Sequence, residues 1–131
     1  MHLLLKLLFM SALLLSANPG NRVTLHLIGD STMAVKEEDK YPETGWGQML
    51  PEYFSSGIWV KNHAVNGRST KSFIDEGRWQ AVYDALQPGD FVAIQFGHND
   101  QKSEDPLRYT NPLTAFRSNL TDALFIADTR Q

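Results

Sequence analysis

Three short β-type runs, each stopped by a polar cluster that contains glycine, constrain this chain more than any other feature. Val23 to Ile28 reads Val-Thr-Leu-His-Leu-Ile and stops at Gly29. Ile58 to Val60 follows Gly57, and Phe91 to Phe96 follows the turn signal Pro88-Gly89-Asp90 and stops at Gly97. Their length and their β-branched and aromatic content are those of strands. They are nearly continuous in apolar character and do not alternate strictly, which points to strands covered on both faces, as in a parallel sheet.

Helical patterns fill the gaps. Trp46 to Phe54 predicts a short helix that Pro51 limits or kinks. Phe73 to Leu86 has roughly helical spacing of apolar residues with a break near Gly77. Pro112 to Ala127 places Leu113, Phe116, Leu120, Leu124 and Ala127 on one face, with Asn111 as cap and Pro112 at the first helical position. The order β-α-β-α-β-α predicts an α/β domain, a three-layer αβα sandwich around a parallel sheet. Lys36 to Lys40 reads as a charged surface loop, and Gln101 to Asn111 as a polar one. Trp46 and Trp79 are more readily placed in the core than on a sugar-binding surface.

The polar clusters stand in equivalent places. Gly29-Asp30-Ser31-Thr32 follows the first strand, Asn66-Gly67-Arg68-Ser69 comes a few residues after the second, and Gly97-His98-Asn99-Asp100 follows the third. Ligands of open parallel α/β sheets bind outside the carboxyl ends of the strands, so the three clusters are expected to converge on one edge. Each also has an ordinary explanation when taken alone. Ser31 suits a helix N-cap, Asp30 a cap or turn, Gly67 a turn, and Asn99 a loop brace through its own backbone. Asp100 suits a brace for the Asn99 loop, and Arg68 and Arg78 suit either an acidic saccharide or surface ion pairs.

Taken together, the clusters resemble the first three sequence blocks of the GDSL/SGNH hydrolase superfamily. The longer strings Ile28-Gly29-Asp30-Ser31-Thr32-Met33-Ala34, Gly45-Trp46-Gly47-Gln48, Glu76-Gly77-Arg78-Trp79 and Phe96-Gly97-His98-Asn99-Asp100 resemble its rhamnogalacturonan acetylesterases. The likeness runs over residues 23–131 and implies an SGNH/flavodoxin-like fold. It also implies a serine esterase acting on O-acetyl groups of a polysaccharide such as pectic rhamnogalacturonan. Ser31 would be the nucleophile, forming an acyl-enzyme. The oxyanion donors would be the backbone N–H groups of Ser31 and Gly67 and the side-chain amide of Asn99, which stays neutral at working pH. No cofactor and no metal are implied.

Serine needs a base, ordinarily a histidine oriented by a carboxylate. The resembled family takes both from a D-x-x-H block, and no aspartate in this sequence has a histidine three positions later. His26, His63 and His98 are present, but His98 reads better as a wall of the site than as the base. We therefore read the sequence as the N-terminal part of an SGNH domain, cut after about three βα units. Two other readings compete. One is a metal-dependent hydrolase with Asp30, His98, Asn99 and Asp100 as ligands. The other is a non-catalytic saccharide-binding module or an inactive fragment.

Composition narrows the partners. A net charge of −3 without a basic block argues against nucleic acid. The absence of cysteine removes disulfides, thiolate metal sites, a cysteine nucleophile and a lipoprotein anchor. Leu7 to Leu15 is almost wholly apolar, preceded by Lys6 and followed by Ser16-Ala17 and the helix breaker Asn18-Pro19-Gly20. Residues 1–17 are expected to be a signal peptide, too short to span a bilayer that needs about 20 apolar residues. The mature chain, from residue 18, is then expected to be secreted or periplasmic, with no stable membrane anchor.

Overall fold

A computed structural model describes residues 22–128, with side chains described through Ala123. The expected signal peptide lies outside the described residues. The elements are β1 (Val23–Gly29), α1 (Trp46–Met49), β2 (Ile58–Asn62), α2 (Thr70–Asp75), α3 (Arg78–Ala85), β3 (Phe91–Gln95) and α4 (Ala115–Asp128). Among these residues no helix is long and apolar enough to cross a membrane.

The three strands form a parallel sheet in the order β2-β1-β3. β1 lies in the middle, and its carboxyl-terminal half, His26 to Gly29, is fully buried. Passing from β1 to β2 and from β2 to β3 crosses the sheet in opposite directions. Right-handed crossovers therefore put the two connections on opposite faces. Ile28, Val92, Ile94 and Phe96 pack on one face against Phe73, Trp79, Val82 and Ala123 of α2, α3 and α4. Met33 and the α1 segment cover the other face. The Asn62 side chain donates to the Met33 carbonyl at 2.8 Å, and a Cβ on Gly47 would come within 2.9 Å of Met33. The three-layer α/β expectation is met.

Helix boundaries depart from the sequence reading in ways the backbone explains. The run from Trp46 is α-helical only to Met49 and continues as a 3-10 turn over Leu50–Tyr53, because Pro51 has no N–H to donate. The Phe73–Leu86 pattern is two helices parted at Gly77, whose φ of +70° suits glycine. The first of them starts earlier than its apolar pattern, at Thr70, because Ser69 and Ser72 form a reciprocal capping box.

The last helix starts at Ala115 and not at Pro112. The Asn111 side chain accepts from the Leu113 amide at 2.9 Å, which closes a turn ahead of the helix. Leu113 is consequently 84% exposed and leaves the buried face, which runs through the half-buried Phe116 and Leu120 to Ala123. Two further placements correct the sequence reading. Trp79 is in the core, but Trp46 is 42% exposed, with its indole donating to the Gln95 side chain at 2.6 Å. Lys36 is not part of a surface loop, for its side chain is only 5% exposed.

Candidate active site

β1 and β3 are neighbours whose following connections leave toward opposite faces, the arrangement at which open α/β sheets bind ligands outside the carboxyl ends of their strands. Gly29 makes the close approach there possible, since a Cβ at this position would lie 2.6 Å from the Gln95 carbonyl oxygen. The chain then turns at once. The Asp30 carboxylate accepts from the Thr32 amide at 3.0 Å and its hydroxyl at 2.9 Å, and the Asp30 carbonyl accepts from Met33 and Ala34. Asp30 is thus the brace of the turn, and Ser31 sits half-buried at its apex. No helix starts at Ser31, and its hydroxyl and its amide make no hydrogen bond to any described residue. Ser31 does not cap a helix.

The loop after β2 is drawn alongside. Val65 donates to the Gly29 carbonyl at 3.1 Å, carrying β-like pairing past the end of the strand. Gly67 takes φ +76°, open to glycine and costly for other residues, and its amide is unpaired among the described residues. The buried Lys36 ties this loop to the first. Its ammonium donates to the Ser31 carbonyl and to Asn66 Oδ1 at 3.0 Å, and pairs with Glu43 at 3.2 Å. Sequence reasoning missed Lys36, because only the folded chain sets three oxygens around it.

The third loop joins the second. Asn99 is buried and its Nδ2 donates to the Arg68 carbonyl at 3.0 Å, so it braces across loops and not through its own backbone. Asp100 is buried beside it. Its carboxylate accepts from the Thr70 amide at 3.0 Å and from the hydroxyls of Thr70 and Thr110, the latter at 2.8 Å. That locks the loop after β3 to the first residue of α2. The structure therefore gathers the Ser31, Gly67 and Asn99 loops at one edge through named bonds. Arg68 and Arg78 both pair with Glu76 and, with Arg78 the stronger influence, hold its carboxyl below the usual range.

The histidines do not join them. His98 is exposed and pairs with no described residue. His26 is fully buried within β1 and does have a carboxylate, Asp90, 3.4 Å from its Nε2, a pairing the sequence reading missed. Asp90, however, immediately precedes β3, at the end of the sheet remote from Ser31. Its carboxyl, which burial alone would raise, is brought down by the Thr24 and Gln87 amides and by His26. His26 Nδ1 is itself engaged by His63 Nε2 at 3.0 Å, with the two rings stacked. Burial lowers the pKa of both histidines; Asp90 opposes this at His26, and the neighbouring His26 imidazole and Lys61 add to it at His63.

Nor do the side chains suit a metal. Asp30 Oδ1, the Asp100 carboxylate and the Asn99 oxygen accept from protein donors, and among the described residues no group of three or more His, Cys, Asp or Glu could hold a metal ion.

Fold and site together define an α/β-layered domain with, at the carboxyl edge of a parallel sheet, a serine whose hydroxyl has no partner among the described residues. The chain belongs to the GDSL-like Lipase/Acylhydrolase family, whose match covers residues 25–130. It is 44% identical to the rhamnogalacturonan acetylesterase RhgT of Bacillus subtilis over 99 residues, covering 76% of this chain and 41% of that protein. It is 46% identical to the rhamnogalacturonan acetylesterase of Emericella nidulans over 77 residues, 59% of this chain and 28% of that one. A solved structure of YxiM from Bacillus subtilis superimposes with a TM-score of 0.69 at 25% identity, over 86% of this chain and 31% of that chain. The chain thus spans less than half the length of the curated relatives it matches.

Proposed function

We propose that the protein is a serine esterase that removes O-acetyl groups from an acetylated polysaccharide, pectic rhamnogalacturonan being the substrate its named relatives suggest. The observation that carries this is the state of Ser31, whose hydroxyl and amide have no partner among the described residues, at a sharp turn tied to the loops that carry Gly67 and Asn99.

The chemistry follows from those groups. Ser31 Oγ attacks the acetyl carbonyl and the alcohol of the sugar leaves, giving an acetyl-serine that water then hydrolyses. Negative charge collects on the carbonyl oxygen as the bond forms. The Ser31 and Gly67 N–H groups and one Asn99 Nδ2 hydrogen answer it without any reorganisation at the moment of reaction. The proton of Ser31 needs a base with an oriented carboxylate. Among the described residues His26 and His63 engage each other away from Ser31 and His98 pairs with no carboxylate, so in this proposal the base is a histidine outside the present sequence. Export through residues 1–17 belongs to the same proposal and suits a polysaccharide substrate met outside the cell.

The test is aryl-acetate turnover by the full-length enzyme. Ser31→Ala is expected to lose about 10³-fold or more in kcat, and activity within about tenfold of the parent would exclude Ser31 as nucleophile. Asn99→Ala is expected to lower kcat by about 10²–10³-fold with little change in KM. A rise in KM with kcat intact would make Asn99 a binding residue instead.

A further inference from the structure

The Asn99 carboxamide has two ends of opposite hydrogen-bonding character, and two half-buried neighbours, Arg68 and Arg108, distinguish them. Nδ2 donates to the Arg68 carbonyl at 3.0 Å, while Oδ1 accepts from an Arg108 guanidinium N–H at 3.4 Å. A carbonyl only accepts and a guanidinium only donates, so both partners demand the same orientation. Turning the amide over would set oxygen against oxygen and N–H against N–H. Asn99 is 2% exposed, so water is poorly placed to replace either bond. An amide NH2 carries two hydrogens, and Arg68 takes one of them. The other is left for a ligand only while Nδ2 keeps its place.

Arg108 is itself fixed. Its Nε pairs with the Asp105 carboxylate, and its backbone amide donates to the Asp105 carbonyl at 3.0 Å. Paired in this way, Asp105 has its carboxyl held below the usual range, chiefly by Arg108. The same guanidinium nitrogen that holds Asn99 also flanks Gly67, where a Cβ would lie 3.8 Å from it. One rigid, planar group thus stands at the junction of the loops that carry Gly67 and Asn99.

We infer that Arg108 is a positioning residue of the esterase. It fixes the rotational state of the Asn99 carboxamide so that Nδ2, and not Oδ1, faces the developing oxyanion. The inference rests on the oxyanion role of Asn99 given above. Arg108 touches no reacting atom. Its planar fork serves Asp105 through Nε and Asn99 through Nη1 at once, which a lysine ammonium on a flexible stem reproduces only in part.

Two measurements test this. The first is a double-mutant cycle in aryl-acetate turnover on the full-length enzyme. Arg108→Met is expected to lower kcat about tenfold with KM within about twofold, and to cost nothing further once Asn99 is alanine. Arg108→Lys, which keeps a donor, is expected to lie between parent and methionine variant. An Arg108→Met loss that is equally large in the Asn99→Ala background would overturn the positioning role and leave the oxyanion role of Asn99 standing. Unchanged kcat in Asn99→Ala would instead sink the oxyanion role, and the inference with it.

The second is the pair of Asn99 Nδ2 proton resonances in 15N-labelled protein. In Arg108→Met they are expected to shift and exchange faster with solvent, while backbone amides remote from the site keep their positions. Side-chain resonances identical to the parent would overturn the inference whatever the kinetics.

Discussion

Asp100 holds Thr70 by both its backbone amide, at 3.0 Å, and its hydroxyl, across thirty residues of sequence. Thr70 Oγ1 in turn accepts from Asn119 at 3.0 Å, so the loop after β3, the start of α2 and the body of α4 share one buried polar network. A half-satisfied network of this kind is worse than none. Asp100→Asn replaces an acceptor oxygen with a donor and turns it toward groups that already donate. We expect about 1.5–3 kcal/mol lower stability by urea unfolding, the range for hydrogen bonds to charged groups. A change under about 1 kcal/mol would mean that the network is slack.

Lys36 holds Ser31 and Asn66 from beneath the site, and its test separates support from chemistry. Lys36→Met keeps the aliphatic stem and deletes the ammonium, leaving the Ser31 carbonyl and Asn66 Oδ1 without that donor. Glu43 is 63% exposed and loses little. The expected cost is about 2–3 kcal/mol of stability, with slower acylation of Ser31 by an active-site serine probe. Parent-like stability and labelling rate together would show that the two loops hold their places without it.

The His26–His63 pair makes stability depend on pH. His26 Nε2 faces Asp90 ahead of β3, its Nδ1 faces His63 after β2, and Lys61 of β2 adds positive charge nearby. Both pKa values fall below the ordinary 6.5, primarily because burial disfavours the charged ring. The unfolded chain therefore binds more protons than the folded one at pH values below 6.5 and above the folded pKa values. Stability from this source is complete above 6.5 and is lost as pH falls through that window. Urea midpoints should drop between about pH 7.5 and pH 5.5, and His63→Gln should flatten the drop. A midpoint that stays level in the parent over this range would show that the pair does not titrate on unfolding.

The strand runs, the break at Gly77 and the helix toward Ala127 were legible in the sequence because they depend on local composition and periodicity. The three polar clusters were legible for the same reason, each being a short string that ends a strand. Periodicity could not tell that Leu113 faces solvent. The Asn111 side chain, accepting from the Leu113 amide, closes a turn ahead of that helix, and the later start leaves Leu113 outside the helix and off its buried face. A single lysine in a charged run likewise carries no sign that it will be buried.

Local sequence set the order of elements, the parallel α/β class and the residues offered at each strand end. Tertiary structure alone decided which of those residues meet. Lys36 reaches Ser31 and Asn66, Asn99 reaches Arg68 and Arg108, and His26 finds Asp90 at the far end of the sheet from Ser31. The physical reason is range. Strand and helix propensities act over a few neighbouring residues, whereas a buried donor finds its acceptor only after the sheet order β2-β1-β3 has brought distant loops to one edge.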